Sequence, residues 1–410
     1  MEKLIGNAIV GQSGGPTAAI NATLSGVIRG CIENPCVNKV FGALNGIEGL
    51  LEKRLCDLSS LFSDGKNLAV LEQTPAAALG SCRKKLPNPD ADPEIYKKML
   101  EIFKEYDVRY FFYIGGNDSM DTVAKLSKYM NNAGYTMKIM GVPKTIDNDL
   151  AGTDHTPGFG SAAKYICTVM QEILLDTAVY TVKAVTIVEI MGRDAGWLTA
   201  AAALPSLNGI SPDLIYLPEV IFDYEKFFED VEKAFEKHPN VVIAVSEGVR
   251  TADGKYVGEG TQSGAVDVFG HKYLSGTGKA LELAVKERFG CKVRSVELNL
   301  PQRCAAHIRS KTDIDESVNV GRSAVRFAAD GETGKMACFV RENGDGYKCS
   351  VGLCDISEVA NAVKVVPREM INERGNGVTR ECLEYIAPLV CGEAECLYEN
   401  GMPMFFRVAK

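Results

Sequence analysis

Short, unbroken apolar runs alternate with stretches of helical spacing along most of the chain. Asn7–Gln12 is apolar and Thr17–Ile32 then follows a helical period; Val108–Ile114 (VRYFFYI) is a β-branched and aromatic run, and Asp118–Met130 is again helical. Met137–Val142 precedes a long polar loop and a predicted helix from about 160 to 176. Lys183–Ile190, Val241–Ser246 and Val293–Leu298 read as further strands. Strands that are apolar on both faces and separated by helices are parallel strands covered on both sides. A closed barrel and open doubly wound sheets both satisfy this pattern, and the irregular spacing between strands favours open sheets. The predicted class is α/β, with mostly parallel sheets. A chain of 410 residues, at ~150 residues per domain, suggests two or three domains or two large lobes.

The polar positions carry a second pattern. Gly14-Gly15-Pro16-Thr17, Gly115-Gly116-Asn117-Asp118-Ser119, Pro143–Asp149 (PKTIDND), Met191–Gly196 (MGRDAG) and Ser246-Glu247-Gly248 each follow a predicted strand directly. Ligands of open parallel sheets bind at the carboxyl ends of the strands, so five such segments define a candidate rim. The Gly14-Gly15 and Gly115-Gly116 turns each run into a predicted helix start. Backbone N–H groups and the helix dipole there suit a phosphate. Two other glycine motifs fail on context. Gly158–Ala163 matches a dinucleotide fingerprint but follows a polar loop instead of a strand, and Gly278-Lys279-Ala280 lacks the first glycine and the Ser/Thr of a P-loop.

Composition narrows the ligand. The net charge of −8 disfavours nucleic acid and anionic membranes as partners, and no window of ~18 apolar residues suggests a membrane span. The 13 cysteines are too sparse for a disulfide scaffold and form no CxxC; with only four histidines, none paired as HExxH, a zinc site is not expected. A reduced, cytoplasmic location is the expectation. His271 and His307 are read as structural.

Taken together, GGNDS at 115–119, PKTIDND at 143–149, VEIMGRDAGW, SEGV and Pro301-Gln302-Arg303 resemble, in order and spacing, the phosphofructokinases. The resemblance runs over most of the chain. It implies two Rossmann-like lobes with the active site between them: a phosphoryl-donor lobe of 1–140 plus about 304–355, and a sugar-phosphate lobe of about 141–303 with the tail 356–410 packed on it. It also implies phosphoryl transfer to the 1-hydroxyl of fructose 6-phosphate with Mg²⁺, in glycolysis. ATP-dependent members typically carry glycine where Asp118 and Lys144 stand, and these two residues resemble the pyrophosphate-dependent branch, whose reaction is reversible. An ATP-dependent enzyme, a non-catalytic sugar-phosphate sensor and an enzyme acting on sedoheptulose 7-phosphate are the alternatives. The presence of Asp147 and Arg193 argues against the sensor.

Carried over residue by residue, the resemblance makes Asp147 the base that takes the hydroxyl proton and Asp149 an orienting residue for the metal. Thr145 donates to a transferring phosphoryl oxygen, and Lys144 supplies positive charge to the pyrophosphate oxygens. Gly14, Gly15, Gly116 and Arg83 fall at the donor end. Met191, Gly192, Arg193, Glu247, Arg294, Leu300 and Arg303 fall on the sugar phosphate, with arginines matching phosphate oxygens bidentately. Three positions depart from the family pattern. Asn117 stands where many relatives keep a metal-side aspartate, Leu300 where a His or Tyr is expected, and Ala184, beside Lys183, where ATP-dependent relatives place an arginine that crosses a subunit interface. A homo-oligomer, dimer or tetramer, is implied.

Overall fold

A computed structural model describes residues 4–63, 66–259, 276–344, 346–359 and 362–408. His271 lies outside them. In chain order the elements that build the two lobes are β1 (Gly6–Gln12), α1 (Ile20–Glu33), β2 (Val37–Ala43), β3 (Leu55–Asp57), β4 (Val108–Gly115), α2 (Asn117–Asn132) and β5 (Lys138–Pro143). There follow α3 (Phe159–Ala178), β6 (Ala184–Ile190), β7 (Leu214–Tyr216), β8 (Asn240–Ser246), α4 (Thr277–Phe289) and β9 (Lys292–Glu297). The chain then continues through α5 (Lys311–Ala329), β10 (Lys335–Arg341), β11 (Cys349–Asp355) and α6 (Arg380–Ile386).

The first sheet has the order β11-β10-β5-β4-β1-β2-β3, and the second β7-β8-β6-β9. The second is wholly parallel; in the first only the edge strands β3 and β11 run antiparallel. Both sheets bury apolar side chains on each face, as the unbroken runs require: Ala8 and Val10 face one core of the first lobe and Ile9 the other. In the second lobe, Val188 and Ile190 face one core while Val185 and Ile187 face the other. The order of strands reverses at β1, which has β2 on one side and β4 on the other. That reversal opens a crevice at the carboxyl ends, and the loops after β1 and β4 flank it.

The chain leaves the first lobe after β5, builds the second, and returns through α5. That helix packs on α1 at glycine contacts: a Cβ on Gly26 would meet the Val318 carbonyl oxygen at 2.0 Å, and one on Gly321 the Thr23 oxygen at 2.2 Å. Backbones this close admit no side chain. The C-terminal segment divides between the lobes, which corrects its expected place on the second lobe alone. Val366, Ile371, Cys382, Ile386 and Leu389 pack in the second-lobe core, whereas Ile356 and Val359 join the first-lobe core. Phe406 returns to the first lobe with its ring 4.9 Å from Phe62. The reason is that 397–406 finds polar anchors there, Gln73 donating to the carbonyls of Leu397 and Met404.

Both glycine decoys are closed at the helix N-terminus. The Gly158 and Ser161 N–H groups at the start of α3 donate to the Asp313 carboxylate at 2.8 and 2.9 Å. At the start of α4 the Gly278 N–H donates to Glu189 at 2.7 Å. A carboxylate already satisfies the donors that a phosphate would need.

Among the described residues no helix is long and apolar enough to cross a membrane. All thirteen cysteines are free.

Candidate active site

A cleft of about 830 Å³ lies between the carboxyl ends of the two sheets. Its wall on the first-lobe side is formed by Ser13–Thr17 after β1, Gly116–Ser119 after β4, and Arg83. The second-lobe side contributes Met191, Arg193 and Asp194 after β6, Glu247 after β8, and Asn299, Leu300 and Arg303 after β9. The loop 144–149, leaving β5, crosses between them. Six loops scattered over the sequence thus meet because each follows a strand of one of the two sheets.

At the donor end, Gly14 turns with φ +79° and its carbonyl accepts from the Ser81 hydroxyl at 2.6 Å. This anchors the segment carrying Arg83. Lys144 lies under that turn, 3% exposed, its Nζ donating to the Gly15 carbonyl at 2.8 Å. A Cβ on Gly14 would stand 3.2 Å from the ammonium. Burial pulls the lysine down to about 8, against the opposing pull of Asp147 and Asp149. The ammonium therefore lines the cleft beside the Gly14-Gly15 turn with little competing solvent. Asp118 sits in the first turn of α2 and pairs with Lys85 at 2.9 Å, both side chains remaining partly open.

In the middle of the cleft the Thr145 hydroxyl accepts from the Asp147 N–H at 3.1 Å and stands 3.4 Å from its carboxylate. Removal from water raises the Asp147 carboxyl above the ordinary range, while Lys144 and then Arg193 draw it back. The Asp149 carboxyl is pushed up to about 7, by burial first and by neighbouring Asp147 second. The Asn117 side-chain oxygen is buried with no hydrogen-bond partner among the described residues. Two carboxyl groups that resist ionising together and an orphaned amide oxygen suit a hard divalent cation, which takes oxygen ligands.

At the other end Glu247 is raised to about 8 by burial, its Oε1 accepting from the Gly192 N–H at 3.4 Å. Arg303 spans the cleft: one guanidinium nitrogen lies 3.7 Å from where a Cβ on Gly15 would stand. Gly192 does not line the cleft but shapes its loop, with φ +146° and a would-be Cβ 2.7 Å from the Ala195 oxygen.

Of the residues expected at the site, Gly192 sits behind the cleft wall and Arg294 is placed elsewhere. Arg294 lines a separate groove with Tyr180, Val182 and Lys292. Strand geometry accounts for this. Side chains alternate faces along β9, so Arg294 points away from the face carrying Glu297, and it sits three residues short of the carboxyl end. Lys183, beside Ala184, stacks its ammonium 4.3 Å from the Phe235 ring, away from the cleft. His307 is exposed and outside the cleft wall.

Several lining residues escaped the motif reading. Gln302 is buried, its Oε1 accepting from the Met191 N–H at 3.2 Å, and its Nε2 has no partner among the described residues. Glu189 is pushed up to about 7 by burial, and Glu297 and Asn299 stand at the end of β9. The signal for Glu189 was present, a carboxylate inside an otherwise apolar strand. Outside the cleft, His155, Glu316 and Cys349 cluster, but His155 is already held by Asp154 at 2.9 Å and Glu316 at 2.7 Å, one on each ring nitrogen.

Two lobes of this topology enclose a cleft in which a loop bearing Lys144, Asp147 and Asp149 faces loops bearing Arg193 and Arg303, the arrangement expected of a phosphoryl-transfer enzyme. Residues 7–304 match the phosphofructokinase family, and the chain belongs to it. It is 41% identical over 408 residues, 98% of this chain and 96% of the relative, to a pyrophosphate–fructose 6-phosphate 1-phosphotransferase of Halomonas elongata. It is 31% identical to a sulfofructose kinase of Alkalicoccus urumqiensis, over 89% of this chain and 92% of the relative. Among solved structures it superposes with a TM-score of 0.88 on a pyrophosphate-dependent phosphofructokinase from Nitrosospira multiformis. That relative is 38% identical, and the match covers 98% of this chain and 96% of the other.

Proposed function

We propose that the protein transfers a phosphoryl group from pyrophosphate to the 1-hydroxyl of fructose 6-phosphate, reversibly, giving fructose 1,6-bisphosphate and phosphate. The observation that carries this reading is the loop 144–149, which puts a buried ammonium under the donor turn and a carboxylate at the centre of the cleft. Its closest support in the comparisons is the full-length similarity to proteins named for that reaction.

The step runs as follows. Asp147 takes the proton of the sugar 1-hydroxyl as its oxygen attacks the distal phosphorus. A new P–O bond forms, the bond to the bridging oxygen breaks, and its electron pair leaves with inorganic phosphate. Lys144 offsets the charge growing on that leaving group, and Thr145 donates to an equatorial oxygen. The proton on Asp147 passes to solvent or to the departing phosphate. Arg303 and Arg193 hold the sugar phosphate, and Glu247 accepts from its hydroxyls. Asn117 and Asp149 would hold Mg²⁺, which when bound would supply positive charge to the phosphoryl oxygens.

Asp118 sets the donor. A carboxylate in the first turn of α2 fills the place where a helix start would otherwise welcome a third phosphate. Like charges at 4 Å repel by roughly 4 kcal/mol at an effective dielectric of about 20. Pyrophosphate, being shorter, stops before that point. Asp118→Gly is therefore expected to lower pyrophosphate activity and to raise the ratio of kcat/KM for ATP over pyrophosphate, measured at fixed free Mg²⁺. An unchanged ratio in a folded variant would reduce Asp118 to a partner of Lys85.

A homo-oligomer, dimer or tetramer, belongs to the same proposal. Exposed Leu175, Val179, Tyr180 and Val182 beside the Arg294 groove support it, since contiguous apolar surface of this kind marks contacts between proteins. The free cysteines support a reducing compartment, the cytoplasm.

A further inference from the structure

The loop that carries Asp147 and Asp149 is held from below by a segment lying outside the family match. Asn148, between the two aspartates, has φ +54° and is fully buried. That left-handed conformation is uncommon for a residue other than glycine, though asparagine tolerates it better than most. It turns the flanking side chains toward the cleft while Asn148 itself points inward. Three bonds hold it there. Its side-chain amide donates to the Tyr385 hydroxyl at 3.0 Å, its side-chain oxygen accepts from Lys364 Nζ at 3.2 Å, and the Lys364 backbone N–H donates to the Asp149 carbonyl at 2.8 Å.

Lys364 and Tyr385 are fixed in turn. The ammonium also donates to the carbonyls of Asp154 and Thr153, and the Tyr385 hydroxyl to the Asp154 carbonyl. The Lys364 carbonyl accepts from the Trp197 indole at 2.9 Å, and the Trp197 and Tyr385 rings lie 5.0 Å apart. Two residues on, the Val366 N–H donates to Glu219 Oε1, the same oxygen that accepts from the Gly196 N–H, each at 2.8 Å. The strap 364–366 thus joins the loop of Asp147 to the loop of Arg193.

We infer that Lys364, with Tyr385, is a positioning residue for phosphoryl transfer: it locks Asn148 so that Asp147 and Asp149 are presented together, and it fixes that loop to the sugar-binding loop. The inference deepens the reading above and rests on it for its kinetic arm. Neither side chain lines the cleft, so substrate binding does not require them; orientation does. A displacement of about 1 Å at a reacting group costs on the order of 10²-fold in rate.

The test uses the full chain carrying Lys364→Met, which keeps the stem and removes the ammonium, and Tyr385→Phe, which removes only the hydroxyl. Lys364→Met is expected to lower kcat by ~10–100-fold with both KM values nearly unchanged, and Tyr385→Phe to do so more mildly. Amide hydrogen exchange of the peptide covering 144–150 is expected to quicken in both variants. Wild-type kcat in either folded variant, or KM rising in step with a fall in kcat, would overturn the inference. So would unchanged exchange at 144–150, which needs no activity and therefore decides the question even if the wild-type chain fails to use pyrophosphate. Should Lys364→Met not fold, Tyr385→Phe carries both readouts.

Discussion

Asp147→Ala is expected to lower kcat by ~10²–10⁴-fold, the usual worth of a positioned general base, with much smaller changes in KM for either substrate. The carboxylate sits at the centre of the cleft, its backbone N–H pinned to the Thr145 hydroxyl at 3.1 Å. Removal from water raises its proton affinity while Lys144 and Arg193 keep it ionisable. A base closer to neutrality accepts a hydroxyl proton better than a surface aspartate does. Because the reaction is proposed to be reversible, the same loss should appear in the reverse direction, where Asp147 returns the proton. Asp147→Asn, which keeps the shape, separates chemistry from folding: it should melt close to the wild type and be nearly as slow as the alanine variant. Wild-type kcat in either variant would remove Asp147 from the proton transfer.

Lys144→Met is expected to lower kcat with pyrophosphate by ~10²–10³-fold, the range found when one preorganised charge-stabilising donor is removed from a reacting centre. The wild-type protein should also show a limb in its pH profile. Burial pulls Lys144 down to about 8, because the charged form is the one that loses water. Below that pH the ammonium offsets donor charge; above it the neutral amine does not. kcat/KM for pyrophosphate in the free enzyme should therefore fall as pH rises through about 8, and the fall should be shallower in Lys144→Met, where Lys364, also pulled down to about 8 by burial, is left to titrate. A profile flat from pH 7 to 9, with the variant at wild-type rate, would contradict the assigned role.

Much of this site could be read from the chain because each of its loops follows an apolar strand. The strand read at 108–114 is β4 at Val108–Gly115, and the one read at 183–190 is β6 at Ala184–Ile190. Parallel sheets then bring their carboxyl ends to one edge without further information. What stayed hidden depends on register or on distant contact. Arg294 and Glu297 lie on one strand, but they differ in which face of β9 they occupy and in how near they stand to its carboxyl end. Glu189 was visible as a carboxylate inside an apolar strand, but nothing in the run says that it lines the cleft. Lys364 and Tyr385 lie in a tail with no motif, and their partner Asn148 is more than two hundred residues away in sequence. The split of the tail between lobes was equally invisible, since it follows from polar anchors such as Gln73.

The most direct test of the account is a coupled assay of fructose 1,6-bisphosphate formation by the purified protein, with pyrophosphate and ATP compared at equal free Mg²⁺. Turnover is expected with pyrophosphate, and a much smaller kcat/KM with ATP. Turnover with ATP that matches or exceeds that with pyrophosphate would contradict the role given to Asp118 and Lys144, and fructose 6-phosphate left unconverted with both donors would contradict the proposed reaction itself.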